Sequence, residues 1–236
     1  MKIVSWNCCW GFTKGKQEAI LEAFPKTDIF VIQECRRDDL DTIGKDWKFK
    51  NWYGDDVDDN SKLGIAVFSK EYKLEFTDQF NRNLRYVVPY RVIVGEKSLI
   101  LFAVWTKSWE RGHFDYDDNV TKAVFHYRDL MNGDALIIGD FNTFATNKND
   151  ELKTLEKKME PMINCAKDPG FWETSTYYHN ENSGYGIDDF CFASESLSAN
   201  RKITFEIKDA VENKASDPKK WRDLSDHWPI SVDFCF

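Results

Sequence analysis

The sequence lacks any apolar run that approaches the roughly 18 residues of a membrane-spanning helix, so no transmembrane segment is expected. It also lacks the apolar core of a signal peptide, because the opening residues Met-Lys-Ile-Val-Ser-Trp-Asn form too short and too polar a run. The six cysteines show neither CxxC spacing nor the regular spacing of a disulfide framework. These absences predict a cytoplasmic protein whose thiols are reduced and mostly buried.

Basic residues are also not in excess, since the formal net charge is −8 at pH 7. Proteins that coat long duplexes without specificity usually carry a basic face, so weak affinity for bulk DNA is expected. Phosphoester chemistry remains compatible with this charge. A group of carboxylates that holds a divalent cation creates a site that attracts phosphate.

The chain has 236 residues, of which 42% are hydrophobic, and this is enough to bury one substantial core. We therefore predict a single domain that spans residues 1–236. The sequence leaves the oligomeric state open.

Short apolar runs rich in β-branched residues predict strands along the whole chain. These runs are Ile3–Trp6, Ile29–Ile32, Leu63–Phe68, Val87–Val94, Leu99–Trp105, Ala135–Ile138, Ile187–Ala193, Ile203–Ile207 and Ile230–Phe234. Strands outnumber helices and alternate with them irregularly. This pattern favours an α/β (α+β) sandwich with mixed sheets over a regular doubly wound sheet.

Three segments have the apolar spacing of helices. One runs from Val120 to Met131 behind a possible N-cap at Asn119, and another covers Ala19–Phe24. The third, Asp150–Met159, has so narrow an apolar face that it should lie on the surface.

Two polar segments have less specific patterns. The acidic stretch Asp55–Asn60 lacks the glycine and the glutamate of a calcium-binding EF-hand loop, so a solvated turn is predicted. The aromatic and charged segment Trp105–Asp118 either faces a substrate or folds back on its own sheet.

Candidate catalytic groups lie at the ends of two of the predicted strands. Asp140 and Asn142 come directly after Ala135–Ile138, where they form either part of an active site or an ordinary turn. Asp226 and His227 precede the last strand and place an imidazole next to a carboxylate.

Similar side chains occur near three other strands. Asn7 closes the first strand, and Glu34 follows the strand Ile29–Ile32. Asp188 begins a strand that is otherwise too apolar for an unpaired carboxylate, so it needs a cation, a metal or an imidazole partner. His227 is a candidate for that partner.

Together these segments resemble the endonuclease/exonuclease/phosphatase superfamily, which includes deoxyribonuclease I-like and exonuclease III-like enzymes. The resemblance is carried by five short motifs in the correct order: Lys2-Ile3-Val4-Ser5-Trp6-Asn7, Val31-Ile32-Gln33-Glu34, Gly139-Asp140-Phe141-Asn142, Ile187-Asp188-Asp189-Phe190 and Ser225-Asp226-His227-Trp228-Pro229-Ile230. It implies a four-layer fold in which two packed mixed β-sheets are flanked by helices.

The resemblance also implies a metal site. Glu34 corresponds to the principal ligand of Mg²⁺ or Mn²⁺, and Asn7 to the neighbour that helps to hold the metal or the phosphate. Asp226 is placed to support the same metal site.

The remaining roles are catalytic. The resemblance implies that Asp140 positions the attacking water and that Asn142 donates a hydrogen bond to the phosphorane. It implies that Asp188 orients His227, which acts either as a general base or as a phosphate-binding cation.

Trp105 departs from the family pattern. Relatives commonly carry a histidine or a tyrosine at the end of this strand, whereas an indole N–H cannot transfer a proton. Stabilisation of the leaving oxygen would then come from the metal, from water, or from a group such as His113 or His179.

We therefore expect a Mg²⁺- or Mn²⁺-dependent phosphodiester hydrolase, with a nuclease acting on DNA or RNA as the leading hypothesis. The acidic charge suits an alternative, a phosphatase or phosphodiesterase for a small or lipid-linked substrate. Trp105 motivates a second alternative, a catalytically weakened binding module.

Overall fold

A computed structural model describes residues 1–54, 62–84, 87–106, 116–145, 149–166, 176–180, 184–200, 202–208 and 219–236. The acidic stretch 55–60 and most of the aromatic segment, residues 107–115, lie outside these ranges. None of the six cysteines forms a disulfide. No described helix is both long enough and apolar enough to cross a membrane.

The described strands form two sheets. In chain order they are β1 (Lys2–Asn7), β2 (Ile29–Arg36), β3 (Phe49–Gly54), β4 (Leu63–Ser69), β5 (Lys73–Phe76), β6 (Val87–Val94), β7 (Lys97–Trp105), β8 (Ala135–Ala145), β9 (Ile163–Asn164), β10 (Tyr177–Asn180), β11 (Gly184–Ala193), β12 (Thr204–Ile207) and β13 (Ile230–Asp233). The first sheet has the order β12-β13-β1-β2-β4-β3. The second has the order β10-β11-β8-β7-β6-β5, and β9 pairs with β11.

Both sheets are mixed. In the first sheet β1 runs parallel to β2, and in the second β7 runs parallel to β8, while the other strand pairs are antiparallel. The described helices are α1 (Lys14–Ala23), α2 (Asp39–Thr42), α3 (Tyr116–His126), α4 (Asn149–Met159), α5 (Glu195–Asn200) and α6 (Lys219–Arg222). The predicted pair of mixed sheets with flanking helices is confirmed.

All predicted strands are present, but the sequence patterns missed β3, β5, β9 and β10. β3, β5 and β10 are edge strands, and β9 has only two residues. An edge strand buries fewer side chains, and β5, for example, has a single buried residue among its four. A continuous apolar run, the signal that identifies a central strand, is therefore absent.

One predicted helix start is wrong, and one surface helix is confirmed. Asn119 lies inside α3, which begins at Tyr116, so Asn119 is not an N-cap. In α4 the apolar residues Leu155 and Met159 are buried, while Lys153 and Lys157 are exposed. This helix therefore covers the sandwich with one narrow apolar face.

Gly139 lets β8 approach β7 closely just before Asp140. Its φ is +150°, and a Cβ at this position would lie 2.0 Å from the carbonyl oxygen of Val104 and 2.9 Å from Nε2 of Gln33. Gln33 belongs to the other sheet, and its Nε2 donates to that same carbonyl at 3.1 Å. A side chain at Gly139 would thus disturb the contact between the sheets as well as the local strand pairing.

We predict that Gly139→Ala lowers the free energy of unfolding by at least ~2 kcal/mol, because both the backbone conformation and the space oppose a methyl group. The matched control is Gly133→Ala, where a Cβ would meet nothing within 4 Å. The control should change stability by less than ~0.5 kcal/mol. Urea unfolding followed by fluorescence measures both, and equal stability of the two variants would contradict the prediction.

Candidate active site

A buried carboxylate, Asp140, forms the centre of the candidate site. Its side chain is 0% exposed, and Oδ1 accepts the backbone N–H of Asn142 at 2.8 Å. Oδ2 accepts Nδ2 of Asn7 at 2.8 Å and Nδ2 of Asn142 at 3.1 Å. Nε2 of His227 lies 3.9 Å from the same oxygen. Three of the predicted site residues thus surround the carboxylate of a fourth.

Asn7 links this carboxylate to Glu34. Its Nδ2 also donates to Oε1 of Glu34 at 3.2 Å, while its Oδ1 accepts the N–H of Cys9 at 3.0 Å. Because the amide nitrogen faces both carboxylates, this orientation favours a linking role for Asn7. Direct ligation of a metal by Asn7 stays a prediction.

Glu34 lies at an irregularity inside β2 rather than after the end of a strand. The register of β2 against β4 shifts between Ile32 and Cys35, and Glu34 has a φ of +55°. Bulges of this kind redirect a side chain, and they are common beside active sites. Here the irregularity directs the Glu34 carboxylate towards Asn7 and towards Trp10, whose N–H donates to Oε2 at 2.9 Å.

The predicted partner of His227 was wrong by one residue. Nδ1 of His227 lies 2.8 Å from Oδ2 of Asp189, not from Asp188. Asp189 pairs in register with Asp140, after a shift in register between Ile187 and Asp189. Residues that pair in register project to the same face of a sheet, so Asp189 lies beside Asp140 and His227 lies between them.

His227 holds its proton firmly. Burial lowers the pKa of an imidazole, but here the carboxylates of Asp189 and Asp140 raise it, and the net effect is a pKa well above the usual value. Burial raises the pKa of Asp140, while His227 and the Asn7 hydrogen bond lower it, and the net direction is again upward. The pair therefore binds a proton more tightly than either group does in water.

Asn142 supports Asp140 in the present arrangement. Its Nδ2 donates to Oδ2 of Asp140 at 3.1 Å and to the carbonyl oxygen of Thr106 at 2.9 Å. Both amide hydrogens are thus engaged. Donation to a phosphorane requires that Asn142 exchange one of these bonds, a rearrangement that substrate binding often produces.

Asp226 is half-buried, whereas the adjacent His227 is buried. Its carboxylate contacts the thiol of Cys9, and burial together with Asp226 and Glu34 raises the pKa of Cys9 to about 12. Burial and then Asp226 likewise raise the pKa of Tyr177 to about 12. Asp226, Glu34 and Cys9 are thus neighbours at the mouth of the site.

Sequence reasoning missed Asp189, Tyr177 and Thr106. The ring of Tyr177 lies 4.7 Å from the ring of His227, between centroids. Alternation along β11 separates Asp189 and Cys191 from Asp188 and Phe190, but it does not indicate which of the two faces meets His227. Tyr177 and Thr106 carried no comparable signal, since the sequence alone does not indicate which strands are neighbours.

Trp105 is buried, with 4% of its side chain exposed, and it pairs in register with Asp140 across β7 and β8. It is therefore a buried neighbour of the central carboxylate rather than an open wall of the cleft. Of the other proposed donors, His113 lies outside the described residues, as does the side chain of His179.

Two groups of residues present metal-binding side chains. Asp140, Asp189 and His227 offer three ligand atoms within 4.8 Å of one another. However, His227 already bridges the two carboxylates, so an ion there would have to displace its proton. Glu34 and Asp226 have no Lys or Arg partner among the described residues, and oxygen donors of this kind suit Mg²⁺ or Mn²⁺. The assignment of Glu34 and Asp226 as metal ligands stays a prediction.

Comparisons with known proteins agree with this architecture. The profile of the Endonuclease/Exonuclease/phosphatase family matches residues 4–227. No curated protein sequence matches the chain.

Several solved structures share the fold at low sequence identity. A 3'-5' exonuclease from Neisseria meningitidis is 17% identical with a TM-score of 0.63, and 100% of each chain is covered. An AP endonuclease from Archaeoglobus fulgidus is 16% identical with a TM-score of 0.65, again with 100% of each chain covered. The endonuclease domain of TRAS1, a telomere-specific non-LTR retrotransposon, is 13% identical with a TM-score of 0.65, covering 100% of this chain and 98% of that one.

We predict that Asp189→Asn lowers the pKa of His227, because a neutral amide no longer stabilises the imidazolium. In the native protein the raised pKa keeps the ring protonated above the ordinary value of about 6.5, and the variant should lose that proton at lower pH. NMR of the imidazole nitrogens across a pH titration measures this change.

Asp188→Asn is the matched control for this experiment, since it makes the same chemical change at the adjacent residue. Its effect on the His227 titration should be clearly smaller. A larger effect from Asp188→Asn would restore Asp188 as the partner of His227.

Proposed function

Because the chain belongs to the endonuclease/exonuclease/phosphatase family, we propose that it is a divalent-metal-dependent phosphodiester hydrolase, and specifically a nuclease that acts on DNA or RNA. The family fold is that of phosphoester hydrolases. The observation that carries the proposal is the convergence of Asn7, Asn142 and His227 on the buried carboxylate of Asp140.

Charge balance supports a metal ion in this site. Glu34, Asp226, Asp140 and Asp189 bring four carboxylates together, whereas His227 and Lys16 supply two positive charges. Such an excess of negative charge in a partly buried site calls for a cation. We assign Glu34 and Asp226 as its ligands, with Asn7 holding Glu34 in place, and we favour Mg²⁺ or Mn²⁺ because the donors are oxygen atoms.

When bound, the ion would supply Lewis-acid stabilisation of the phosphoryl and leaving oxygens. Asp140 is the candidate to orient the attacking water and to accept its proton, because burial has raised its pKa above that of an ordinary carboxylate. His227, held protonated by Asp189, is then better suited to contact a phosphate oxygen as a cation than to act as a base.

Nucleic acid is favoured as the substrate by the nature of the structural relatives. They include an exonuclease and an AP endonuclease, and a 3' phosphatase from Neisseria was solved with a product DNA hairpin. The net charge of −8 instead suits a small or lipid-linked phosphoester, which is the first alternative. A catalytically weakened binding module, suggested by the indole at Trp105, is the second.

We predict metal-dependent cleavage of oligonucleotides. Labelled DNA and RNA oligonucleotides, inositol phosphates and a chromogenic phosphodiester would each be incubated with Mg²⁺ and then with excess chelator. Turnover of oligonucleotides only in the presence of metal supports the nuclease. Preferential turnover of inositol phosphates selects the first alternative, and binding without turnover of any substrate selects the second.

We also predict that Glu34→Gln weakens Mn²⁺ binding by at least ~10-fold, since a neutral amide replaces a charged ligand. Calorimetric titration of Mn²⁺ measures this without reference to activity, and the melting temperature should stay nearly unchanged. Glu75→Gln is the control, because Glu75 forms a surface ion pair with Lys73 on the edge strand β5. Equal Mn²⁺ affinity in the two variants would remove Glu34 from the metal site.

A further inference from the structure

Trp10 is a large aromatic side chain that the fold leaves in contact with solvent. Its side chain is 65% exposed, whereas Trp6, Trp221 and Trp228 are fully buried. Exposure of a single apolar side chain is ordinary in a folded protein. The position of Trp10 beside the candidate site is unusual. Its backbone N–H donates to Oε2 of Glu34 at 2.9 Å, so the indole begins directly beside the candidate metal ligand.

The backbone around Trp10 is held in an unfavourable conformation. Cys9, Trp10 and Gly11 have φ values of 49°, 63° and 110°, and the left-handed region is rare for a residue as bulky as tryptophan. Strained conformations of this kind persist where surrounding contacts impose them, and they cluster at ligand-binding sites.

The contacts that impose this conformation come from the candidate site itself. The N–H of Cys9 donates to Oδ1 of Asn7, and the ammonium group of Lys16 binds the carbonyl oxygens of Cys8 and Cys9. Together with the bond from Trp10 to Glu34, they fix the backbone at both sides of the indole. The ring is therefore presented to solvent from a rigid support.

A positive charge lies beside the turn that carries this ring. Gly11 has no side chain, and a Cβ there would lie 3.1 Å from Nε of Arg36, so Arg36 packs against the turn that carries Trp10. An exposed indole on this turn and a guanidinium group packed against the turn could contact a base and a phosphate of one polynucleotide strand.

Because the protein has a net negative charge, binding of a nucleic acid strand would depend on local contacts of this kind. A chain with a net charge of −8 gains little from long-range attraction to a polyanion. Stacking of a base on an aromatic ring depends only weakly on overall charge, and it requires bases that are not already paired in a duplex. In a polynucleotide a single sugar separates each base from the adjacent phosphate. A phosphate held near Glu34 therefore has a base close to it.

From these observations we infer that Trp10 is a stacking platform for an unpaired base of single-stranded DNA or RNA, next to the phosphate held in the candidate site. This inference rests on the proposed function, and it adds the strand state of the substrate and a residue that selects it. Trp10 acts in binding and positioning, and it takes no part in proton transfer.

The test compares Trp10→Asn with Trp10→Phe. Asparagine tolerates the left-handed backbone and removes the aromatic ring, while phenylalanine keeps a ring. The dissociation constant of a fluorescently labelled single-stranded oligonucleotide, measured by anisotropy, should rise roughly 5- to 100-fold in Trp10→Asn. Trp10→Phe should retain most of the affinity.

Phe125→Asn provides the matched control, because Phe125 is 80% exposed on α3 and none of its described contacts belongs to the site. This variant should bind the oligonucleotide as the native protein does. An oligonucleotide of the same length with abasic residues should bind the native protein as weakly as the normal oligonucleotide binds Trp10→Asn.

The outcomes separate this inference from the proposed function. Unchanged affinity in Trp10→Asn, equal affinity for the abasic oligonucleotide, or no binding of any single strand by the native protein would each overturn the platform, even if a chromogenic phosphodiester is hydrolysed. Conversely, Trp10-dependent binding without metal-dependent hydrolysis would support the platform and reject the phosphodiesterase.

Discussion

The hydrogen bond from Asn7 to Asp140, 2.8 Å long, is the interaction on which the candidate site depends. Asn7 ends β1 of the first sheet, whereas Asp140 lies in β8 of the second, so this bond joins the two layers of the sandwich. Both partners are buried, and an unmet hydrogen bond at a buried carboxylate is costly. The need to satisfy Asp140 therefore fixes the spacing of the sheets where the chemistry is proposed.

Gln33 makes a second connection of the same kind. Its amide nitrogen binds Oγ of Ser5 in its own sheet at 2.8 Å and the carbonyl oxygen of Val104 in the other sheet at 3.1 Å. The close approach at Gly139 leaves room for this amide. Polar contacts thus replace apolar packing between these strands, and the two hydrogen bonds that the Gln33 amide nitrogen donates offset part of the cost of burying it.

The sequence was sufficient to predict the central strands and to single out most of the residues that converge on Asp140, since both depend on local patterns. Apolar runs identified β1, β8 and β11, and the short motifs identified Asp140 and His227. The sequence was insufficient wherever the identity of a site residue depended on the register between paired strands. The choice between Asp188 and Asp189 is decided by an irregularity in the pairing of β11 with β8, which local sequence does not encode. The edge strands and the left-handed turn at Trp10 were missed for a related reason, because tertiary contacts rather than propensity hold them.

The division of the site between the two sheets has a consequence for proteolysis of the protein. Asn7 and Glu34 are contributed by the first sheet, and Asp140 and Asp189 by the second, so neither sheet contains the complete site. A fragment that kept only one sheet would lack part of the site, and it should retain none of the proposed cleavage of phosphodiesters. Loss of the sandwich and loss of the chemistry should therefore occur as one event.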